Sequence, residues 1–153
     1  MYDREGRLSA LVEAKRRFRT DLSWAREWHA STVRRMNRPA EVSVVLFAPD
    51  RVYVWRPGAD EAAQPDATYE AGPWLAPYFI RLKISANEVD PRVFEEIVGL
   101  WLQDAALGEL PESSDLTSAG SLLDTLRGGE VVQQAQDRST GATSARLTRV
   151  AVG

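Results

Sequence analysis

Between residues 42 and 55 the chain carries two apolar, β-branched runs, Val42 to Phe47 and Val52 to Trp55, closed by Pro49-Asp50 and by Pro57-Gly58. A sheet with one wet face alternates apolar with polar residues, whereas a short run that is apolar nearly throughout fits a strand covered on both sides. The turn residues between the runs predict a hairpin around Ala48 to Arg51. Whatever this chain folds into therefore contains two strands joined as a hairpin.

Further strand and helix signals lie on either side. Asp3-Arg4-Glu5-Gly6 has the composition of a tight turn, and the apolar run Leu8 to Ala14 follows it, which predicts the second half of a β-hairpin. Side chains alternate along a strand, so Leu8, Ala10, Val12 and Ala14 share one face while Leu11, Glu13 and Lys15 share the other. Thr20 or Asp21 caps a helix expected to run to about Met36, with Leu22, Ala25, Trp28, Thr32 and Met36 near one stripe. Gly58 to Thr68 lacks an apolar period and reads as a surface loop, and Pro73 to Leu82 as a short helix. Asp90-Pro91 then places a capping carboxylate and an N1 proline before a helix whose stripe is Phe94, Ile97, Val98, Trp101 and Ala105.

The division expected from this pattern is an α/β core over residues 1–109, a linker and C-terminal helix over 110–138, and a flexible tail over 139–153. Leu110 to Ser114 is the linker, and the last helix falls between Ala119 and Gln136. Residues 1 to 153 suffice for one hydrophobic core.

Composition removes several chemistries. With no cysteine and one histidine, the chain holds no disulfide, thiolate nucleophile or multi-histidine metal site of its own, so any metal must sit on carboxylates. No apolar run approaches the roughly 20 residues of a membrane helix, and the charged start Met1-Tyr2-Asp3-Arg4-Glu5 is unlike a signal peptide, so a cytoplasmic protein without membrane contact is expected. The net charge of −3 hides an asymmetry. Residues 1–56 hold 12 Lys and Arg against 7 Asp and Glu (+5), and residues 57–153 hold 7 against 15 (−8). A basic half of this kind suits a phosphate-facing surface.

The chemistry-bearing pattern is Glu13-Ala14-Lys15. A strand that bears Glu-x-Lys after a turn offers a carboxylate and a backbone carbonyl to a hard divalent cation, with an ammonium alongside. Mg²⁺ prefers such oxygen donors and keeps several waters. The metal lowers the pKa of a bound water, and the lysine orients that water or stabilises charge developing on a phosphate. Lysine suits the task as a compact charge whose pKa can move, and arginine does not. Of the 19 basic residues 17 are arginine, yet one of the two lysines, Lys15 and Lys83, stands here. Taken alone, Glu-x-Lys also describes a solvent-facing ion pair at a strand end.

Tyr2 to Arg17, with its strand end, turn, strand and Glu-x-Lys, resembles the core of the PD-(D/E)XK nuclease superfamily, as found in a wider bacterial group of such domains. The likeness continues through Trp24, LFAPDRVYVW (Leu46 to Trp55), WLAPYF (Trp74 to Phe79) and FEEIVGLWL (Phe94 to Leu102), covering about residues 2–105. It implies a restriction-endonuclease-like fold, with a mixed central sheet flanked by helices. It further implies Mg²⁺- or Mn²⁺-dependent hydrolysis of DNA phosphodiesters, with Glu13 and Lys15 catalytic and Glu13 and the Ala14 carbonyl on the metal.

The family also places a metal-binding Asp, usually after Pro, at the start of the strand that enters the hairpin. Here Asp3 has no Pro before it and belongs to the turn itself. The chain is thus expected either to begin inside a longer domain, its fold N-terminally incomplete, or to keep the fold as a catalytically inactive module for nucleic-acid binding or protein assembly, with a homodimer or another protein as partner.

Other residues are weighed beside the motif. Arg16, Arg17, Arg19, Arg34 and Arg35, with Arg38, could line a phosphate-tracking surface or simply form a solvated face. His29 falls one residue past the helical stripe and reads as a boundary residue. The five tryptophans could include a base-stacking platform, but Trp28 and Trp101 at least fall where core packing explains them. Asp50 reads as a turn residue, and Glu95 and Glu96 as complements to a helix dipole.

Overall fold

A computed structural model of the chain describes residues 10–36, 41–111, 119–127, 130–134 and 146–151. The elements, in order, are β1 (Ala10–Ala14), α1 (Leu22–Met36), β2 (Ser43–Phe47), β3 (Arg51–Trp55), β4 (Ala67–Glu70), α2 (Ala71–Leu82), α3 (Pro91–Leu107), α4 (Gly120–Leu126), β5 (Glu130–Gln134) and β6 (Arg146–Ala151). The strands form one mixed sheet in the order β4-β3-β2-β1-β6-β5. β1 and β2 are parallel, joined through α1, and the other neighbouring pairs are antiparallel.

Every residue of β2 is buried, as its near-continuous apolar run requires. Alternate residues serve two cores. Ala10, Val12, Ala14, Val45, Phe47 and Val52 pack with α2, α3 and α4 on one face, where the Trp74 and Trp101 rings stack at 5.1 Å between centroids. On the other face Val44, Leu46, Tyr53 and Trp55 meet Ala25 and Trp28 of α1. The class is therefore α/β, a mixed sheet with helices on both faces. No helix among the described residues is long and apolar enough to cross a membrane.

The helix boundaries follow their local chemistry. Asp21 Oδ1 accepts the Trp24 backbone N–H at 2.8 Å, and Asp90 Oδ1 accepts that of Val93 at 2.9 Å, so each carboxylate satisfies a donor that the first turn leaves orphaned. Pro91 follows at the first helical position, where its missing N–H costs nothing. α3 ends at Gly108, whose φ of +72° lets its N–H turn back to the last carbonyls. Lys83 ends α2 in the same left-handed region, a capping position remote in sequence from Glu13. The Tyr78 hydroxyl donates to Asp104 at 2.6 Å and ties α2 to α3.

Several expectations need correction. The composition of residues 58–68 predicts loop throughout, but Ala67 and Thr68 begin the edge strand β4, which pairs with β3. The expected last helix stops at Leu126. Residues 130–134 are strand, and in the sequence a Gly128-Gly129 pair and the β-branched Val131-Val132 mark that change. Within the expected flexible tail, Arg146–Ala151 form β6, paired with β1 on one side and β5 on the other. The predicted turn at Asp3 to Gly6, Arg38, and most of the linker lie outside the described residues.

Candidate active site

Glu13 and Lys15 stand where the crossover puts them. β1 and β2 run parallel, so their C-terminal ends lie side by side, and open α/β sheets bind ligands at that end. Glu13 sits opposite Leu46, on the face covered by α1. The Lys15 backbone N–H donates to the Phe47 carbonyl at 2.8 Å, extending the ladder one residue past β1. Its ammonium reaches to 3.8 Å from Glu13 Oε1. The alternation read from sequence thus has both side chains on one side of the strand. Ala14 points its methyl into the opposite core.

Glu13 is 7% exposed. Burial pushes its carboxyl above the ordinary glutamate value of 4.5, and Lys15, Trp28 and Arg35 pull the other way without cancelling the desolvation. The Trp28 indole N–H faces the carboxylate but stops short of full hydrogen-bond geometry. The result is a nearly buried carboxyl with the Lys15 ammonium beside it. Among the described residues no group of three His, Asp or Glu side chains could hold a metal ion. Glu13 and the Ala14 carbonyl would supply the protein's oxygen donors, and water and a phosphate would have to complete the shell. That donor set fits Mg²⁺, which is commonly bound through one or two carboxylates plus substrate phosphates.

The arginines divide. Arg16 donates from Nε to the Val89 carbonyl, with its guanidinium over Phe18, which anchors it to the body of the fold. Arg34 pairs with Glu61 at 2.8 Å. Arg17 and Arg19 are exposed in the segment after Lys15, and Arg17 lies over the Trp24 ring. Arg35 is exposed at the far end of α1, close enough to stabilise the Glu13 charge, and its Nε donates to the Ser31 carbonyl. The five arginines are therefore not one surface: Arg17, Arg19 and Arg35 are exposed, Arg34 is exposed but paired with Glu61, and Arg16 is tied to Val89.

A second group was not legible in the sequence as part of the site. Asp50 accepts from both the backbone N–H and the Oγ1 hydroxyl of Thr20, each at 2.9 Å, and Thr20 Oγ1 shares a 2.7 Å hydrogen bond with the Tyr53 hydroxyl. This clasp pins the basic segment after β1 to the β2–β3 turn. It also holds Arg19 at a φ of 54°, a left-handed conformation that costs a residue with a side chain roughly 1 kcal/mol. Thr20 and Asp50 are 30 residues apart, so no local pattern signals the contact.

His29 needs correction too. It is fully buried, not at the edge of the apolar stripe, and stacks on Trp55 at 4.5 Å with 7° between the planes. A shallow cleft of about 350 Å³ between α1 and the β3–β4 loop is lined by Ser23, Arg26, Glu27, Ala30, Glu61 and Ala62, and so includes neither Glu13 nor Lys15. Comparison of the chain with protein-family models, with curated proteins and with solved structures returns no match.

Proposed function

We propose that this chain is a nuclease domain of the PD-(D/E)XK type, with a restriction-endonuclease-like core, that hydrolyses DNA phosphodiester bonds with Mg²⁺ or Mn²⁺. The observation that carries the reading is the pairing of a nearly buried Glu13 with Lys15 at 3.8 Å, at the C-terminal end of a strand that continues through α1 into a parallel neighbour. Glu13, with the Ala14 carbonyl, would hold the metal. The bound ion supplies Lewis-acid polarisation of the phosphate and of the attacking water. Lys15, with its ammonium 3.8 Å from Glu13, would stabilise charge that develops on the phosphate. Arg17 and Arg19, exposed in the adjoining segment, contribute phosphate affinity and orientation.

Nicking of supercoiled DNA tests the reading. Metal-dependent conversion to open circles is expected, abolished by EDTA and reduced at least about 100-fold in Glu13→Gln and in Lys15→Ala, the scale of losing a group that stabilises transition-state charge. Nicking that is the same in both variants as in the parent would end it.

One observation favours a second reading, a catalytically silent nuclease-fold module for nucleic-acid binding or assembly. Among the described residues the carboxylate ligands stop at Glu13, and β6, which flanks β1, contributes no Asp or Glu from Arg146–Ala151. Salt-dependent DNA binding that persists in Glu13→Ala, with no nicking in any divalent metal, is the outcome that would select it.

A further inference from the structure

Four of the five tryptophans are packed into the two cores: Trp28, Trp55, Trp74 and Trp101 are each at most 7% exposed. Trp24 is different. It lies in the first turn of α1, half-buried, with Tyr53 edge-on to it at 6.3 Å and 65°. Over its ring, 5.2 Å from the centroid, sits the guanidinium of Arg17, an exposed residue two positions past Lys15.

The platform is rigid from behind. Tyr53 is 1% exposed, its hydroxyl is hydrogen-bonded to Thr20, and Thr20 is held by Asp50. Trp24 is also the residue whose backbone N–H Asp21 caps, so its place at the helix start is set by that bond. Over the ring lies an exposed cation with no carboxylate on it among the described ion pairs. An aromatic ring with an exposed arginine over it, in a basic segment, is the chemistry that single-stranded nucleic acid uses: a base stacks on the ring and the guanidinium pairs with the phosphate. A closed duplex keeps the faces of its bases stacked inside and offers none to such a ring.

We propose that Trp24 and Arg17 form a stacking position for an unpaired nucleobase beside the Glu13–Lys15 pair, which makes single-stranded or frayed DNA the preferred ligand; the choice of a nucleic acid rests on the nuclease-fold reading above. Trp24 is a specificity residue here and takes no part in the bond cleavage. Thr20, Asp50 and Tyr53 are positioning residues that hold the ring.

Fluorescence anisotropy in EDTA tests this without cleavage. The probes are a labelled oligothymidylate of about 15 nucleotides, near the largest site of one single-strand-binding module, and a dumbbell duplex with both ends closed. The parent chain should prefer the oligothymidylate. Trp24→Leu should lose about tenfold on the single strand and less than about twofold on the dumbbell, while Trp24→Phe keeps most of the affinity. Arg17→Ala, at an exposed site that leaves the fold intact, should lose about threefold on the single strand and quench Trp24 less on binding. Equal losses on both probes, or no loss in either Trp24→Leu or Arg17→Ala, would overturn the proposal. The two readings fail separately. Single-strand preference that depends on Trp24, with no nicking in any metal, supports the platform and removes the nuclease. Glu13-dependent nicking without the Trp24 effect removes the platform and keeps the nuclease, and absence of binding to both probes removes the platform, the nuclease being decided by the nicking assay.

Discussion

Lys15→Met removes the ammonium that stands 3.8 Å from the Glu13 carboxylate while keeping a stem of similar reach. At that distance the attraction is about 1 kcal/mol in a water-like medium and about 4 kcal/mol at the effective dielectric typical near a protein surface. The Lys15 side chain is 34% exposed, so solvent screens it from one side and the lower part of that range applies, about 1 to 2 kcal/mol. Urea unfolding of the parent, Lys15→Met, Glu13→Gln and the double variant isolates this coupling.

The pH dependence adds a sign. Burial holds the Glu13 carboxyl above 4.5, so its charged form is less favourable in the folded chain than in the unfolded one. Its contribution to stability is complete below that value and is lost as pH rises from it through the raised folded value. Glu13→Gln should therefore gain stability relative to the parent as pH rises from about 4 to about 7, because the glutamine has no charge to bury. The cost of Lys15→Met should run in parallel, near zero where Glu13 is protonated and about 1 to 2 kcal/mol where it is ionised. Equal costs of Lys15→Met in the parent and in the Glu13→Gln variant, or a Glu13→Gln variant that loses relative stability with rising pH, would show that the pair is not coupled as described.

Trp101→Ala removes a fully buried ring that stacks on Trp74 and lies 5.1 Å from Phe47, and should cost about 3 to 5 kcal/mol in urea unfolding. Tyr78→Phe deletes the hydroxyl that donates to Asp104, a bond to a charged acceptor, and should cost about 1.5 kcal/mol by the same measurement. Asp50→Ala releases Thr20 and with it the segment carrying Arg17 and Arg19. It should weaken single-strand binding severalfold while leaving the α3 core intact, as read by anisotropy and by near-ultraviolet circular dichroism of the Trp74–Trp101 pair.

What the sequence revealed and what it hid divide along the range of the interactions. Asp90-Pro91, the Val42 to Phe47 run and the placement of Glu13 and Lys15 on one side of a strand all depend on residues within one turn or one strand of each other, and each was legible. β4 was not: Ala67–Glu70 alternates over only four residues at the end of a polar, proline-bearing stretch, and it is a strand because β3 offers its edge. β6 likewise takes its state from β1, a partner more than 130 residues earlier in the chain. His29 sits past the stripe of its own helix, and its burial is decided by a ring on β3. Asp50 does occupy a turn, as its residue type suggests, but its work is on Thr20 across the sheet end. The candidate site was thus legible as two side chains, and the Thr20–Asp50–Tyr53 clasp and the Arg17–Trp24 contact required the third dimension.

The central claim is that Glu13 and Lys15 cleave DNA together with a divalent ion that the substrate helps to hold. Single-turnover cleavage of a labelled oligonucleotide, titrated with Mg²⁺ in parent and Glu13→Gln chains, tests it most directly. Cleavage should saturate with Mg²⁺ in the parent and fall at least about 100-fold in Glu13→Gln. Equal rates in the two chains, or no cleavage by the parent at any Mg²⁺ concentration, would contradict it.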